Sequence, residues 1–305
     1  MIIPWFFGFR DFSRAPLTWA IGGLCVILFF VTFNPEPLDH HPLLEARSLR
    51  FTGALYLQYQ FEDEFPPPTE LMFLGGKALR DPEFLADAAD YPFAGDSEEI
   101  AQWRKALADF RKKSESRAVF QYGFLKPAMN QPLRWLTYQF THADLPHLLG
   151  NLVFLFLFGV AVETIRGSFW VALTYLGGGL AGALFALLTD PPTISPMVGA
   201  SASISALMSF YMIIEAKRRV RFFYFFSPLP NFYGDVFMSK WWIAPLCLLP
   251  DLGNWLAERW VPQSELIVSP IATSAHIGGT LFGLVLGVMV RYVFRFRERP
   301  REWAY

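Results

Sequence analysis

The stretch GASASISALMSFY, residues Gly199 to Tyr211, decides how this chain is read. It lies in an apolar run and carries four hydroxyls, Ser201, Ser203, Ser205 and Ser209. Serine in a membrane helix is ordinarily a packing residue, bonded to a carbonyl of its own helix or of a neighbour. A chemical role for one of the four therefore has to come from its depth and its neighbours. The apolar setting extends well beyond this stretch. The 305 residues are 53% hydrophobic and only 17% charged, a balance that points to a polytopic membrane protein. A net charge of −1 gives no sign of a nucleic-acid partner. The two cysteines, Cys25 and Cys247, suggest neither a disulfide framework nor a metal site.

A helix needs roughly 20 apolar residues to cross the hydrocarbon. Six segments approach this: residues 16–33, 147–162, 168–188, 197–214, 241–257 and 271–294. The first lacks a cleavage pattern and is read as a retained anchor. The fifth is interrupted by Pro245, Pro250 and Asp251, which survive at membrane depth only under a cover of protein or water. Basic residues set the orientation. Arg10 and Arg14 precede the first span, Lys217 to Arg221 follow the fourth, and Arg291 to Arg301 end the sixth. Both termini are expected in the cytoplasm, and the fourth and sixth spans run from outside to inside.

The segment 36–130 is polar and falls outside in this topology. Leu55, Leu57, Tyr59 and Phe61 alternate with polar positions, which predicts a half-buried strand. Ile100, Trp103, Leu107 and Phe110 recur at helical spacing, with Glu98 and Glu99 ahead of them and Lys112 and Lys113 behind. Pro66-Pro67-Pro68 and Gly75-Gly76 read as loop. The expectation is a small α+β insertion with no catalytic pattern.

A hydrolase needs a nucleophile, a base, oxyanion donors and water. Ser201 stands near the outer start of the fourth span, where water can reach. Ser205 and Ser209 lie on the same face but roughly 6 and 12 Å deeper, at 1.5 Å per residue. His276 stands at a similar depth in the sixth span, SPIATSAHIGGTLFGLVLG, and can serve as general base for a serine hydroxyl. Ala275, Gly279, Gly283 and Gly287 form a stripe of small residues that allows close helix approach, and Ala202 and Ala206 offer a matching surface. In the second span His147 and Asn151 are four apart and share a face. Beside a serine backbone N–H they can form an oxyanion hole; read as structure, they bond to loops or to each other. His142 reads as a loop residue. HExxH is absent, so no metal ligation is read here, and no cofactor is called for.

These residues resemble the rhomboid family of intramembrane serine proteases. His147-Leu-Leu-Gly-Asn151 is similar to its HxxxN, Gly199-Ala-Ser201-Ala to its GxSx, and Ala275-His276-Ile-Gly-Gly279-Thr-Leu-Phe-Gly283 to its AHxxGxxxG. The resemblance covers the first span and residues 131–296. It implies an all-α membrane protein, a six-transmembrane-helix bundle with the insertion between helices 1 and 2. Its parts would be residues 1–35 (cytoplasmic tail and helix 1), 36–130 (insertion), 131–296 (rhomboid core) and 297–305 (basic cytoplasmic tail). It also implies a dyad of Ser201 and His276 without a carboxylate, and oxyanion donors at His147, Asn151 and the Ser201 N–H. Arg134 stands nearest to the family's arginine in the first outer loop, with the order Arg134-Trp135 where the family often has Trp-Arg, and Glu163 resembles a structural glutamate. Two positions depart from the pattern. Ala202 replaces a usual glycine, and Ser205 replaces an aromatic that stacks on the catalytic histidine, so another group must hold the His276 ring.

The implied partners are single-span or polytopic membrane proteins as substrates and the lipid bilayer. By analogy, the implied location is a bacterial inner membrane. The rival expectation is a silent protein of this fold that binds or delivers membrane clients. A transporter is disfavoured because no internal repeat is visible. An aspartyl protease is disfavoured because Phe232-Tyr-Gly-Asp235 is not GxGD.

Overall fold

A computed structural model of the chain describes residues 2–4, 13–32, 41–60, 68–124, 129–190, 196–215, 219–225, 227, 232–260 and 272–293. The expected loop at Pro66-Pro67 and the basic tail 297–305 lie outside these residues. A short strand β1 (Ile2–Pro4) and an apolar helix α1 (Pro16–Thr32) come first. There follow α2 (Ala46–Gln60), α3 (Pro68–Ala78), α4 (Pro82–Asp87), α5 (Ser97–Glu115), α6 (Ala118–Tyr122) and the single turn α7 (Arg134–Thr137). The apolar helices α8 (Leu145–Arg166), α9 (Ser168–Thr189) and α10 (Ser201–Ile214) precede strands β2 (Arg219–Phe225) and β3 (Tyr233–Ser239). A 3-10 turn (Lys240–Trp242) and a π turn (Ala244–Leu248) lead into α11 (Leu249–Trp260). α12 (Thr273–Val288) continues in a π turn to Val293.

The chain divides into two units, residues 1–31, 135–190 and 198–305 in one, and 32–134 with 191–197 in the other. In the first, three helices among the described residues are long and apolar enough to cross a membrane: Leu145–Arg166, Ser168–Thr189 and Thr273–Val293. Pro16–Thr32 and Ser201–Ile214 are shorter and apolar. The span expected at 241–257 is irregular, with a 3-10 turn and a π turn around Pro245 ahead of regular α-helix from Leu249.

Small residues set the helix spacing. A Cβ on Gly279 would lie 2.0 Å from the carbonyl oxygen of Ala202, and one on Gly283 2.1 Å from that of Ala206. α10 and α12 therefore cross backbone to backbone along the stripe expected from the sequence. Ala202 and Ala206 also meet α9, since a Cβ on Gly182 or Gly178 would fall 2.7 and 2.2 Å from their side chains. Ser209 Oγ donates to the carbonyl of Thr280 across the α10–α12 seam at 3.0 Å. Ser203 Oγ donates to Gln139 Oε1 at 3.1 Å. Both serines are thus structural.

Glu163 ties α1 to α8. Its buried carboxylate accepts from Leu17 N–H (2.9 Å), Thr18 N–H (2.8 Å), Thr18 Oγ (2.6 Å) and Ser168 Oγ (2.6 Å). A carboxylate satisfies the free donors at the start of α1 and complements its dipole. This is the structural part expected of Glu163. At the same end of the bundle, where Trp170 stacks on Phe210, Lys240 Nζ donates to the carbonyl of the cap residue Glu215, and Arg291 to those of Ile213 and Glu215.

The expectation of an all-α protein is corrected by a three-stranded antiparallel sheet in the order β1-β2-β3. Val220 and Phe222 are buried on one face, while Arg221 on the other lies 3.7 Å from Asp235. This alternation of apolar and basic residues makes a half-buried strand.

The second unit corrects two further expectations. Residues 46–60 form a helix rather than a strand at 55–61. Thr52, Leu55 and Tyr56 are buried, and the phenols of Tyr56 and Tyr59 reach Asp81 (2.6 Å) and Asp87 (2.8 Å), so the burial repeats at helical spacing. Gly75-Gly76 lies inside α3 rather than in a loop. Gly75 serves the crossing with α2, where its Cβ would lie 1.9 Å from the carbonyl oxygen of Leu49, and Gly53 plays the same part against Leu71. The expected helix is present as Ser97–Glu115, capped by Asp96. Leu43, Leu55, Phe84, Trp103 and Leu107 form this unit's own core, and Trp103 Nε1 donates to Thr52 at 2.9 Å. Among the described residues the unit is helical apart from one bridge, Phe124 to Met197.

Candidate active site

α8 is started by Asp144, whose Oδ1 accepts the His147 N–H at 2.7 Å, with Pro146 in the first turn, where its missing N–H is harmless. This start puts His147 and Asn151 one turn apart. Both meet the segment that enters α10. Gly199 has φ +114°, and a Cβ there would lie 2.6 Å from His147 Nε2 and 3.2 Å from Asn151 Nδ2. Backbone conformation and crowding both restrict the position to glycine. The Gly199 N–H donates to the carbonyl of Tyr138 at 2.9 Å, which fixes the approach to Ser201.

Ser201 is the first residue of α10 and partly exposed, while residues 202 to 212 behind it are buried. His276, also partly exposed, lies in the first turn of α12. The Ala202–Gly279 crossing stands one residue from Ser201 and three from His276. Among the described residues no hydrogen bond joins Ser201 to His276. His147 and His276 are within electrostatic reach of each other. Asn151 Nδ2 is buried and has no hydrogen-bond partner among the described residues. An unsatisfied buried donor costs about 1–3 kcal/mol, and such groups concentrate at functional sites.

In the loop before α8, Thr141 and His142 are buried while Ala143 and Asp144 are exposed. His142 stands edge to face with His147 at 5.3 Å between ring centres, and its Nδ1 is 3.3 Å from the carbonyl of Phe140. Burial, helped by the neighbouring His147, pushes the His142 imidazole down to about 4. Arg134 bonds to Gln131 Oε1 and to the carbonyls of Phe120 and Gly123, a loop-holding role.

One residue of this region was read from the sequence only as a helix interruption. Asp251, in the first turn of α11, places Oδ2 3.0 Å from His276 Nδ1. The distance is short, but the oxygen lies off the ring N–H direction, so buried Nδ1 has no aligned partner. An ionisable side chain at membrane depth is itself the signal that could have drawn attention to Asp251. No group of His, Cys, Asp and Glu suited to a metal occurs among the described residues.

Apolar helices long enough to span a bilayer and joined by small-residue seams define an integral membrane protein. The Rhomboid domain family matches residues 129–293, more than half of the chain, and the chain belongs to the rhomboid family. It is 31% identical over 173 residues to Rhomboid-related protein 2 of Mus musculus, covering 56% of this chain and 52% of that protein. It is 28% identical over 180 residues to Rhomboid-related protein 3 of Homo sapiens, covering 57% and 41%. With the mitochondrial Rhomboid protein 1 of Saccharomyces cerevisiae it shares 25% identity over 168 residues, covering 53% and 42%. The chain thus spans about half, or less, of the length of these relatives. All three are eukaryotic, and one is mitochondrial, so the bacterial inner membrane expected by analogy finds no support in them.

Proposed function

We propose that this chain is an intramembrane serine endopeptidase that cleaves transmembrane segments of other membrane proteins, using Ser201 as nucleophile and His276 as base. The observation that carries the reading is the unpartnered, buried Asn151 amide beside the glycine that leads into Ser201. A donor held without an acceptor suits an oxygen whose charge develops only during reaction.

In this reading the helices containing residues 16–32, 145–166, 168–189, 201–214, 240–260 and 273–293 act as a six-span bundle with both termini in the cytoplasm. A substrate helix unwinds locally, since its amides are otherwise engaged in internal hydrogen bonds. His276 Nε2 takes the Ser201 proton as Oγ bonds to the scissile carbonyl carbon. The oxyanion accepts from Asn151, His147 and the Ser201 N–H. The proton then passes from His276 to the leaving amine as the C–N bond breaks. Water, deprotonated by His276, attacks the acyl carbon, and as the bond to Oγ breaks the proton passes from His276 to Ser201 Oγ. The test is cleavage of a single-span reporter peptide with a Gly-Ala-rich apolar segment by protein in phospholipid vesicles. Ser201→Ala and His276→Ala are expected to fall to background; cleavage by either at the parent rate removes the assignment.

A second reading, a silent protein that holds membrane clients, draws on the missing Ser201–His276 hydrogen bond. Apo sites often close that bond only with substrate present. Labelling of folded protein by a fluorophosphonate, at Ser201 and not in Ser201→Ala, separates the two readings in favour of the enzyme.

A further inference from the structure

We infer that Asp251 is a positioning residue for His276, so that this chain works with three side chains, hydroxyl, imidazole and carboxylate, where the family pattern has two. The inference rests on the proposed roles of Ser201 and His276. Three observations converge on it. The Asp251 carboxylate lies 3.0 Å from His276 Nδ1, and both side chains are largely buried, 20% and 13% exposed. Nδ1 has no aligned hydrogen-bond partner among the described residues. Ser205, buried one turn below Ser201, supplies no ring to stack on the imidazole.

The placement of Asp251 is built rather than incidental. The chain passes from the π turn Ala244–Leu248 into regular α-helix just before Asp251, which falls in the first turn of α11 beside Pro250. α11 also packs on α9 through Trp255 and Phe185, ring centres 5.9 Å apart. A charge in this apolar setting persists where it is paired, and the group within reach is the imidazole.

The chemistry is specific. With the ring neutral, a proton on Nδ1 facing Asp251 leaves the Nε2 lone pair free to accept the Ser201 proton. A small rotation of the ring aligns the Nδ1–H with the carboxylate. During attack the ring becomes an imidazolium and Asp251 stays ionised beside it; no proton moves to the carboxylate. Among the described residues, the titratable groups on neighbouring elements include His147 on α8, which acts electrostatically on His276, His142 beside His147, and Asp190 at the end of α9. Asp190 is held by Ser274 Oγ.

The experiment compares the parent, Asp251→Asn, Asp251→Glu, Ser201→Ala and His276→Ala in vesicles with the Gly-Ala-rich reporter. Asp251→Asn is expected to lower kcat by tenfold or more with KM changed less than about twofold, the scale typical of groups that orient a reactive side chain. Loss of the anion also moves the acid limb of the kcat/KM profile to lower pH, and Asp251→Glu recovers part of the rate. Because Asp251→Asn can perturb folding, the parent is also read directly. Nitrogen-15 spectra of histidine-labelled protein, assigned by His276→Asn among the five histidines, are expected to show the Nδ1–H tautomer at His276. Full activity of Asp251→Asn with silent Ser201→Ala and His276→Ala overturns the role of Asp251 alone, as does an Nε2–H tautomer. Activity in Ser201→Ala or His276→Ala overturns the underlying assignment instead.

Discussion

His142 shows how one buried ring can make the stability of a membrane bundle depend on pH. It is 5% exposed, and its imidazole is pushed down to about 4, burial being the main cause. In the unfolded chain it titrates near its ordinary value of 6.5. Between those values the unfolded state binds the extra proton, so stability falls as pH drops from about 6.5 toward 4 and is unaffected by this group above that range. His142→Gln is therefore expected to flatten the pH dependence of thermal unfolding in detergent below pH 6.5, with little change in its slope above it. An equal acid sensitivity in parent and variant would show that the ring is hydrated in the folded protein. His142 and His147 are separated by the capping residue Asp144, so the ring that titrates and the ring assigned to the oxyanion are held by one short turn.

At the scale of elements, glycines divide into those that define contacts and those that do not. Gly279→Ala drives a methyl against the Ala202 carbonyl, and the two helices must part; overpacking of this kind costs about 1–3 kcal/mol. Gly253 in α11 has open space where its Cβ would be, and alanine there is expected to be neutral or stabilising by up to about 1 kcal/mol through helix propensity. Thermal unfolding of the two variants side by side checks the contrast. The pattern also explains what was legible in the sequence. Hydropathy and small-residue spacing located α1, α8, α9, α10 and α12 closely, because membrane helices must satisfy their backbone internally and pack through small residues. α2 was misread because Leu55, Leu57 and Tyr59 also satisfy a two-residue period, and only the partners in α3 and α4 decide between the two. The strand Arg219–Phe225 was hidden in a basic run that had already been read as an orientation signal. The motifs single out His147, Asn151, Ser201 and His276 as candidates, and their roles are those proposed above. Asp251 was not legible, because its partner is distant in sequence and no local pattern joins the two.

At the scale of the whole molecule, two cores of different chemistry occur in one chain. The apolar unit is held by close backbone contact and by a few buried polar anchors such as Glu163. The polar unit has an aromatic core around Phe84 and Trp103, helix caps at Asp81 and Asp96, and phenol–carboxylate bonds. Those are the elements of a water-soluble fold, and residues 41–124 made separately are expected to show helical circular dichroism and a cooperative melt without detergent. A non-cooperative melt would mean that this core needs the rest of the chain. The α10–α12 crossing has one more consequence. With carbonyl oxygens seated against glycines, the pair behaves as a single rigid strut, and no guest can wedge between its two members without tearing the seam.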